Sequence, residues 1–176
     1  LAAEAYRYDA TGDPRALLGV ERALRGFDIL LSVAQPGSGL LSRAAIPLSS
    51  PHSLRFSQTS SHYFVGSYNG QAWGAMGNIS RDQYVGMMLG LGQTYLRVPS
   101  VRTTVKGLVN RTLEYLTQNA WCAYQPNGVD ISVSFLEEPA MVLAFLEIGA
   151  MVDNGRWGAL HLQHGAFQHQ GTVSLI

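Results

Sequence analysis

The stretch Thr11-Gly12-Asp13-Pro14 separates two helix-like segments and decides how the first part of the chain is organised. Gly12 suits the left-handed conformation that ends many helices, Asp13 can cap the next helix, and a proline in the first turn loses no backbone hydrogen bond. Apolar residues then recur at helical steps of three and four: Leu17, Val20, Leu24, Phe27 and Leu31. We therefore predict a helix from Pro14 to about Ala34 and a helical hairpin over residues 1–34.

A second hairpin is predicted from Ser80-Arg81-Asp82-Gln83 onward. Ser80 can accept a hydrogen bond from the Gln83 amide while the Gln83 side chain reaches back, which is the pattern of a capping box. The apolar residues that follow form one helical stripe: Tyr84, Met87, Met88, Leu91, Tyr95 and Val98. Pro99-Ser100 is a short break before another amphipathic segment that ends near Asn119. Because the connection is short, these helices should be antiparallel neighbours over residues 81–120.

Residues 40–79 lack a helical period and carry aromatic and histidine residues among many serines and glycines. A structureless loop of this length is uncommon in a compact domain, and such a segment is most often a binding loop, a lid or a set of short strands. A fifth, mostly apolar helix is predicted from Pro139 to about Asp153, after a turn at Pro126-Asn127-Gly128. We therefore expect a single all-α domain over residues 1–176, built of antiparallel helical hairpins with one long aromatic loop.

Composition excludes several classes of protein. The 176 residues are 47% hydrophobic and 14% charged, and 12 basic and 12 acidic side chains cancel, which indicates one globular domain and argues against disorder. Clustered cations are absent, so no nucleic-acid partner is expected. The longest apolar stretch is interrupted by Glu147 and is too short to span a bilayer, so no membrane partner is expected. One cysteine, Cys122, excludes an internal disulfide, and no metal or other cofactor is predicted.

The phrases Tyr8-Asp-Ala-Thr-Gly-Asp-Pro14 and Ser80-Arg-Asp-Gln-Tyr84, each opening an amphipathic helix, resemble the α/α-toroid superfamily. Within this superfamily, the sequence is similar to the bacterial six-hairpin glycosidases and the relatives of N-acylglucosamine 2-epimerase. The resemblance covers about residues 1–34 and 78–128. A complete toroid of this type has twelve helices, whereas about five are predicted here, so we expect either a fragment of a larger toroid or a ring closed by another chain.

The resemblance implies carbohydrate chemistry in a cavity at one end of the ring, usually with acidic catalytic residues. Glycosidic cleavage needs one carboxyl to protonate the leaving oxygen and another to act as base or nucleophile. Asp82 is the first candidate, because it lies at a helix N-terminus directly after the aromatic loop, and Glu137 and Glu138 are the second. The alternative for all three is that an acid in the first turn stabilises the helix dipole by roughly 0.3–1 kcal/mol.

Several residues are candidates for binding a substrate. Arg81 could bind a carboxylate or a sugar hydroxyl, or pair with an acid on a neighbouring helix. His62 could act as an acid or base near neutral pH, or be an ordinary surface residue. Four aromatic residues could form a stacking platform for sugar rings, or instead anchor the long loop onto the helices: Tyr63, Tyr68, Trp73 and Tyr84.

Two functions follow from these observations as hypotheses. The first is a domain that binds a carbohydrate or another small polar ligand, with glycoside hydrolysis left open. The second is a non-enzymatic helical interaction or assembly module, whose exposed apolar edge is covered by another subunit or by the remainder of a larger chain. In the second case the apolar faces of Leu17–Leu31 or Met141–Met151 should meet the partner.

Overall fold

The computed structural model describes residues 1–35, 37–57 and 62–173, the last seven by backbone alone. Seven α-helices lie in this part of the chain: α1 Ala2–Thr11, α2 Pro14–Leu30, α3 Ser53–Ser57, α4 Arg81–Arg97, α5 Arg102–Gln118, α6 Pro139–Val152 and α7 Asn154–Val173. The strands are β1 Ala44–Pro47, β2 Tyr63–Tyr68, β3 Gln71–Met76, β4 Cys122–Tyr124 and β5 Ile131–Ser134. The prediction of an all-α domain, a partial α/α toroid with one long loop, is therefore wrong.

The helix boundaries follow local signals in the sequence. Gly12 has φ 66° and ends α1 by donating its N–H to the Tyr8 carbonyl, while the Asp13 side chain accepts a hydrogen bond from the Arg15 N–H at 2.8 Å. The capping box at the start of α4 is present, with the Ser80 N–H donating to Gln83 Oε1 at 3.1 Å. The predicted helical hairpins α1/α2 and α4/α5 are confirmed.

The core lies where the apolar stripes of these helices meet. Helix α4 packs against α1, α5 and α6, so it occupies the middle of the helical layer. Its buried Met88 and Leu91 join Leu24 of α2, Leu113 of α5 and Leu146 of α6 in one hydrophobic cluster. Among the helices that the structure describes, none has the length and apolar character needed to cross a membrane.

The predicted aromatic loop is mostly a three-stranded antiparallel sheet with the order β1-β3-β2. Strands β2 and β3 are joined by Asn69-Gly70, whose φ values of 51° and 75° match the hairpin turn that this dipeptide favours. The sheet lies against the chain that follows α2, where the Ser67 N–H donates to the Val33 carbonyl at 3.2 Å. The sequence carried a hairpin signal here, but the strands on either side are too irregular in pattern to be recognised by alternation.

A second, smaller hairpin joins α5 to α6. Strands β4 and β5 pair antiparallel, and the predicted turn at residues 126–128 lies between them. Ala120 and Trp121 adopt φ values of 49° and 61°, which turn the chain out of α5 and into β4. The Gln125 N–H donates to the Asp130 carbonyl at 2.6 Å and closes the turn.

The C-terminal helix α7 is tied to the rest of the fold at its junction with α6. Asp153 connects the two helices, and its Oδ2 accepts hydrogen bonds from Asn110 Nδ2 and Lys106 Nζ, both at 3.0 Å. Trp157 of α7 in turn donates its indole N–H to Asn110 Oδ1 at 2.7 Å. Helix α5 thus holds the α6/α7 hairpin through one polar network.

Acid should weaken this junction. The hydrogen bonds from Asn110 and then Lys106 hold the pKa of Asp153 below its usual value. A carboxyl with a lowered pKa stabilises the fold above its unfolded-state pKa, about 3.9, and this contribution is lost as the pH falls through the folded-state pKa. We expect Asp153→Asn to lower the free energy of unfolding at about pH 7 and to lower it less at about pH 2. Urea unfolding at both pH values measures this, and equal losses at both would contradict it.

Candidate functional site

Three contacts gather separate parts of the chain at one end of the molecule. The Asn78 N–H donates to Gln125 Oε1 at 2.9 Å, and Ser132 Oγ donates to the Ile79 carbonyl at 2.9 Å. Arg81 Nη1 and Glu138 Oε1, at 2.5 Å, join the N-termini of α4 and α6. We call this region the hairpin end; it consists of residues 62–63, 77–82, 125–132 and 137–138.

A cleft of about 470 Å³ opens at the hairpin end, between the start of β2 and the turn that joins β4 to β5. Its volume is within the range of about 300–1,000 Å³ that is usual for small-molecule sites. We call it the hairpin cleft, and its lining residues are His62, Tyr63, Phe64, Gln125, Pro126, Asn127 and Asp130.

The aromatic wall of the hairpin cleft is positioned by the sheet. The Tyr63 ring lies over Gly74 of the adjacent strand so closely that a Cβ at Gly74 would be 2.7 Å from Tyr63 Oη. On its other side, Tyr63 meets the Phe56 ring of α3 edge to face, with 6.3 Å between the centroids. Strand and helix contacts therefore order the ring of the half-buried Tyr63, a residue that lines the cleft.

The polar wall is positioned by the β4–β5 turn. Asn127 Oδ1 accepts hydrogen bonds from the Val129 N–H at 3.1 Å and the Asp130 N–H at 3.2 Å. Asn127 Nδ2 donates to Asp130 Oδ2 at 2.8 Å, so one side chain orders both the turn and the carboxylate. The turn approaches Gly77 closely, since a Cβ there would be 2.5 Å from Gln125 Oε1. The two walls are thereby held at a defined separation.

The predicted catalytic carboxylates lie at the hairpin end but do not line the cleft. Asp82 and Glu137 are exposed, and Glu138 is bound by Arg81, so Arg81 pairs with an acid on a neighbouring helix, as one of the two hypotheses for it predicted. None of these four side chains is among the described residues that line the hairpin cleft, the grooves between α2 and α5 and between α4 and α6, or the cavity beside Tyr124. The Arg81–Glu138 ion pair joins the two helix N-termini that carry the candidate carboxyls, but none of these carboxyls lines the hairpin cleft.

The predicted aromatic platform is divided between three places. Tyr63 lines the hairpin cleft together with His62. Tyr68 donates its hydroxyl to Asp28 Oδ2 at 2.6 Å and meets Trp73 edge to face at 6.3 Å, so both anchor the sheet near α2. The hydrogen bond to Asp28, followed by burial, raises the pKa of Tyr68.

Tyr84 lies in the hydrophobic core. Its side chain is fully buried, and its hydroxyl accepts a hydrogen bond from the Leu41 N–H at 3.2 Å. Burial raises the pKa of this hydroxyl well above its usual value. Tyr84 cannot contact a ligand in this structure, so its predicted role in substrate binding is replaced by a role in packing.

Five lining residues were not predicted as site residues from the sequence: Phe64, Gln125, Pro126, Asn127 and Asp130. Gln125 and Asn127 flank the proline of a recognised turn, and Asn127 with Asp130 is spaced for side-chain hydrogen bonds within that turn. The turn signal was therefore available. The position of the turn beside Tyr63 could not be predicted from the sequence, because more than sixty residues separate the two walls along the chain.

Two further cavities have different surroundings. The largest, about 620 Å³, is an open groove between α2 and α5, and an ion pair of 2.7 Å between Arg111 and Asp28 lines it. A smaller groove of about 240 Å³ between α4 and α6 is apolar, with Leu89, Leu96 and Met151 partly exposed along it.

Within the described ranges, no three histidine, cysteine, aspartate or glutamate side chains are grouped to hold a metal ion. His161 and His164 lie on α7, where His164 meets the Trp121 ring edge to face at 6.1 Å. No protein-family model, curated protein or solved structure matches this chain.

Proposed function

We propose that the protein binds a carbohydrate in the hairpin cleft. One observation carries the proposal: tyrosine and phenylalanine line a cleft of about 470 Å³ together with amide and carboxylate residues. A sugar presents apolar C–H faces and many hydroxyls, so it needs an aromatic surface on one side and hydrogen-bond donors and acceptors on the other. Tyr63 supplies the first, and Gln125, Asn127 and Asp130 supply the second.

The geometry supports binding more strongly than hydrolysis. Among the described residues that line the cleft, Asp130 is the only carboxylate. Hydrolysis requires two carboxyls around the scissile bond, about 5–10 Å apart. Glu138 is occupied by Arg81, and Asp82 lies outside the lining. Catalysis by Asp82 or Glu137 stays a prediction from the sequence, and the proposed function is binding.

Tyr63→Ala should weaken sugar binding about tenfold or more. Truncating an aromatic anchor in a binding site commonly costs over 1 kcal/mol, and 1.4 kcal/mol corresponds to a factor of ten in Kd. A glycan array with neutral, amino and acidic sugars identifies bound classes, and titration calorimetry measures the Kd for wild type and variant. Val65→Ala is the matched control, because Val65 lies on the same strand, is 60% exposed and does not line the cleft.

Two results would contradict the proposal. One is that no sugar binds to the wild-type protein. The other is that Tyr63→Ala and Val65→Ala weaken binding equally, since a loss shared by both variants would reflect a change in the sheet instead of a contact with the sugar. Tyr63→Phe separates stacking from hydrogen bonding, because it keeps the ring and removes only the hydroxyl.

The alternative function, a helical assembly module, is favoured by the apolar groove between α4 and α6. The predicted face of α2 is not available, because Val20, Leu24 and Leu31 are buried within the chain. Leu89 and Leu96 are instead 55% and 49% exposed beside Met151. Assembly through this groove predicts a sedimenting mass above that of one chain, reduced by Leu89→Glu. A single-chain mass at all concentrations would contradict self-assembly and leave the sugar proposal intact.

A further inference from the structure

The charge of the hairpin cleft comes from one residue. Asp130 is the only Asp or Glu among the described lining residues, and none of them is arginine or lysine. Asp130 is therefore the one described lining side chain that carries a formal negative charge. The Asp130 carboxylate repels a ligand with a negative charge and attracts a ligand with a positive charge.

The Asp130 carboxylate is positioned before any ligand arrives. Its backbone N–H donates to Asn127 Oδ1 at 3.2 Å, and its carbonyl accepts a hydrogen bond from the Gln125 N–H at 2.6 Å. Its Oδ2 accepts a hydrogen bond from Asn127 Nδ2 at 2.8 Å. Oδ1 accepts none from the residues that the structure describes, so it is the oxygen that remains for a ligand. An ordered carboxylate oxygen is a strong acceptor for an ammonium donor.

Two arginines bonded at the hairpin end lie outside the lining of the cleft. Arg43 donates from Nε to the carbonyl of Asn78, the residue whose N–H contacts Gln125, at 2.8 Å. Arg81 is paired with Glu138, so the two together are neutral. Neither arginine is among the lining residues.

We infer that the hairpin cleft prefers sugars bearing an ammonium group over neutral sugars and sugars bearing a carboxylate, and that Asp130 determines this preference. The inference rests on the proposed function, because it concerns the class of sugar that the same cleft binds. Asp130 is exposed, so water and salt screen its charge. The preference for an ammonium over a hydroxyl is accordingly about fivefold at low salt and smaller at high salt.

Three sugars with the same ring test the inference: D-glucosamine, D-glucose and D-glucuronate. Their Kd values are measured by NMR titration at about pH 7 in low salt. We expect glucosamine to bind about fivefold more tightly than glucose, and glucuronate to bind most weakly. Asp130→Asn should make the three affinities similar, because the amide keeps an oxygen for Asn127 Nδ2 but loses the charge. Glu21→Gln is the matched control, since it removes one exposed carboxylate outside the cleft lining and should leave the order unchanged.

The possible results distinguish failure of the inference from failure of the proposed function. Equal affinities of wild-type protein for all three sugars, or tighter binding of glucuronate, overturn the inference and leave carbohydrate binding standing. A preference for glucosamine that survives Asp130→Asn overturns the role of Asp130. A preference that Glu21→Gln also removes shows a general charge effect and overturns the assignment to the cleft. Binding of none of the three rejects the inference together with the proposed function.

Discussion

Replacing Tyr84 with alanine should lower the free energy of unfolding by about 3–5 kcal/mol, the usual cost of removing a large buried aromatic side chain. Tyr84 is fully buried, and its ring meets the Phe135 ring edge to face with 5.6 Å between the centroids. The alanine variant would leave a cavity where α4 meets Phe135 and the segment at Leu41. Urea unfolding followed by circular dichroism measures the loss.

Tyr84→Phe is the control that separates packing from hydrogen bonding. It keeps the ring but leaves the Leu41 N–H without its acceptor, which costs about 1–3 kcal/mol for a buried group. The folded Phe variant should bind sugar as tightly as the wild-type protein, because Tyr84 is remote from solvent. A large loss of sugar affinity with unchanged stability would instead restore the substrate-binding role that the sequence predicted for Tyr84.

Gly66→Ala should destabilise the fold by about 3 kcal/mol, at the upper end of the usual cost of overpacking. A Cβ at Gly66 would lie 1.8 Å from the Val33 carbonyl oxygen and 2.8 Å from the carbonyl carbon. Both are backbone atoms, so no side-chain rotation relieves the overlap. Strand β2 must move away from the chain that follows α2, which breaks the hydrogen bond from the Ser67 N–H to the same carbonyl.

Gly26→Ala is the matched control for this prediction. Gly26 lies within α2, and a Cβ there would meet no atom within 4 Å. Alanine is favoured over glycine inside a helix, so this variant should be more stable by up to about 1 kcal/mol. The two substitutions add the same atom and should have opposite signs. Similar effects of both variants on urea unfolding would show that β2 does not lie as close to Val33 as the structure places it.

The Gly66 variant also tests how the hairpin cleft is built. Tyr63 is on the same strand as Gly66, so a displaced strand should carry the tyrosine ring away from the polar wall. We therefore expect weaker sugar binding from Gly66→Ala even at temperatures where the protein stays folded.

Most of the helical part of this fold could be predicted because its signals are local. The glycine that ends α1, the aspartate that caps α2 and the capping box of α4 each act within four residues. The period of the apolar residues then identifies which face of each helix enters the core. The sequence is ambiguous for helix α7 because its apolar residues follow a weak helical pattern, and contacts with α5 and α6 support it.

The sheets were missed because strands depend on partners that are distant in sequence. Strand β1 pairs with β3, about thirty residues later, and half of the residues in β2 and β3 are glycine, alanine, serine or glutamine, with little strand preference. Such segments become strands only when a neighbouring strand provides the backbone donors and acceptors for their hydrogen bonds. Asn69-Gly70 was the one local signal that could have revealed the hairpin.

The amino-acid sequence by itself located five helices, because their signals depend on near neighbours, although α2 ends at Leu30 and not at about Ala34 as predicted. It also led to the prediction that His62 and Tyr63 belong to a functional segment. Only the tertiary structure decided that Tyr84, Tyr68 and Trp73 lie outside the lining of the hairpin cleft while Gln125, Asn127 and Asp130 belong to it. Hydrogen bonds such as that between Asn78 and Gln125 link residues nearly fifty positions apart. Such contacts form only when the whole chain packs, so they cannot be predicted from the local sequence pattern.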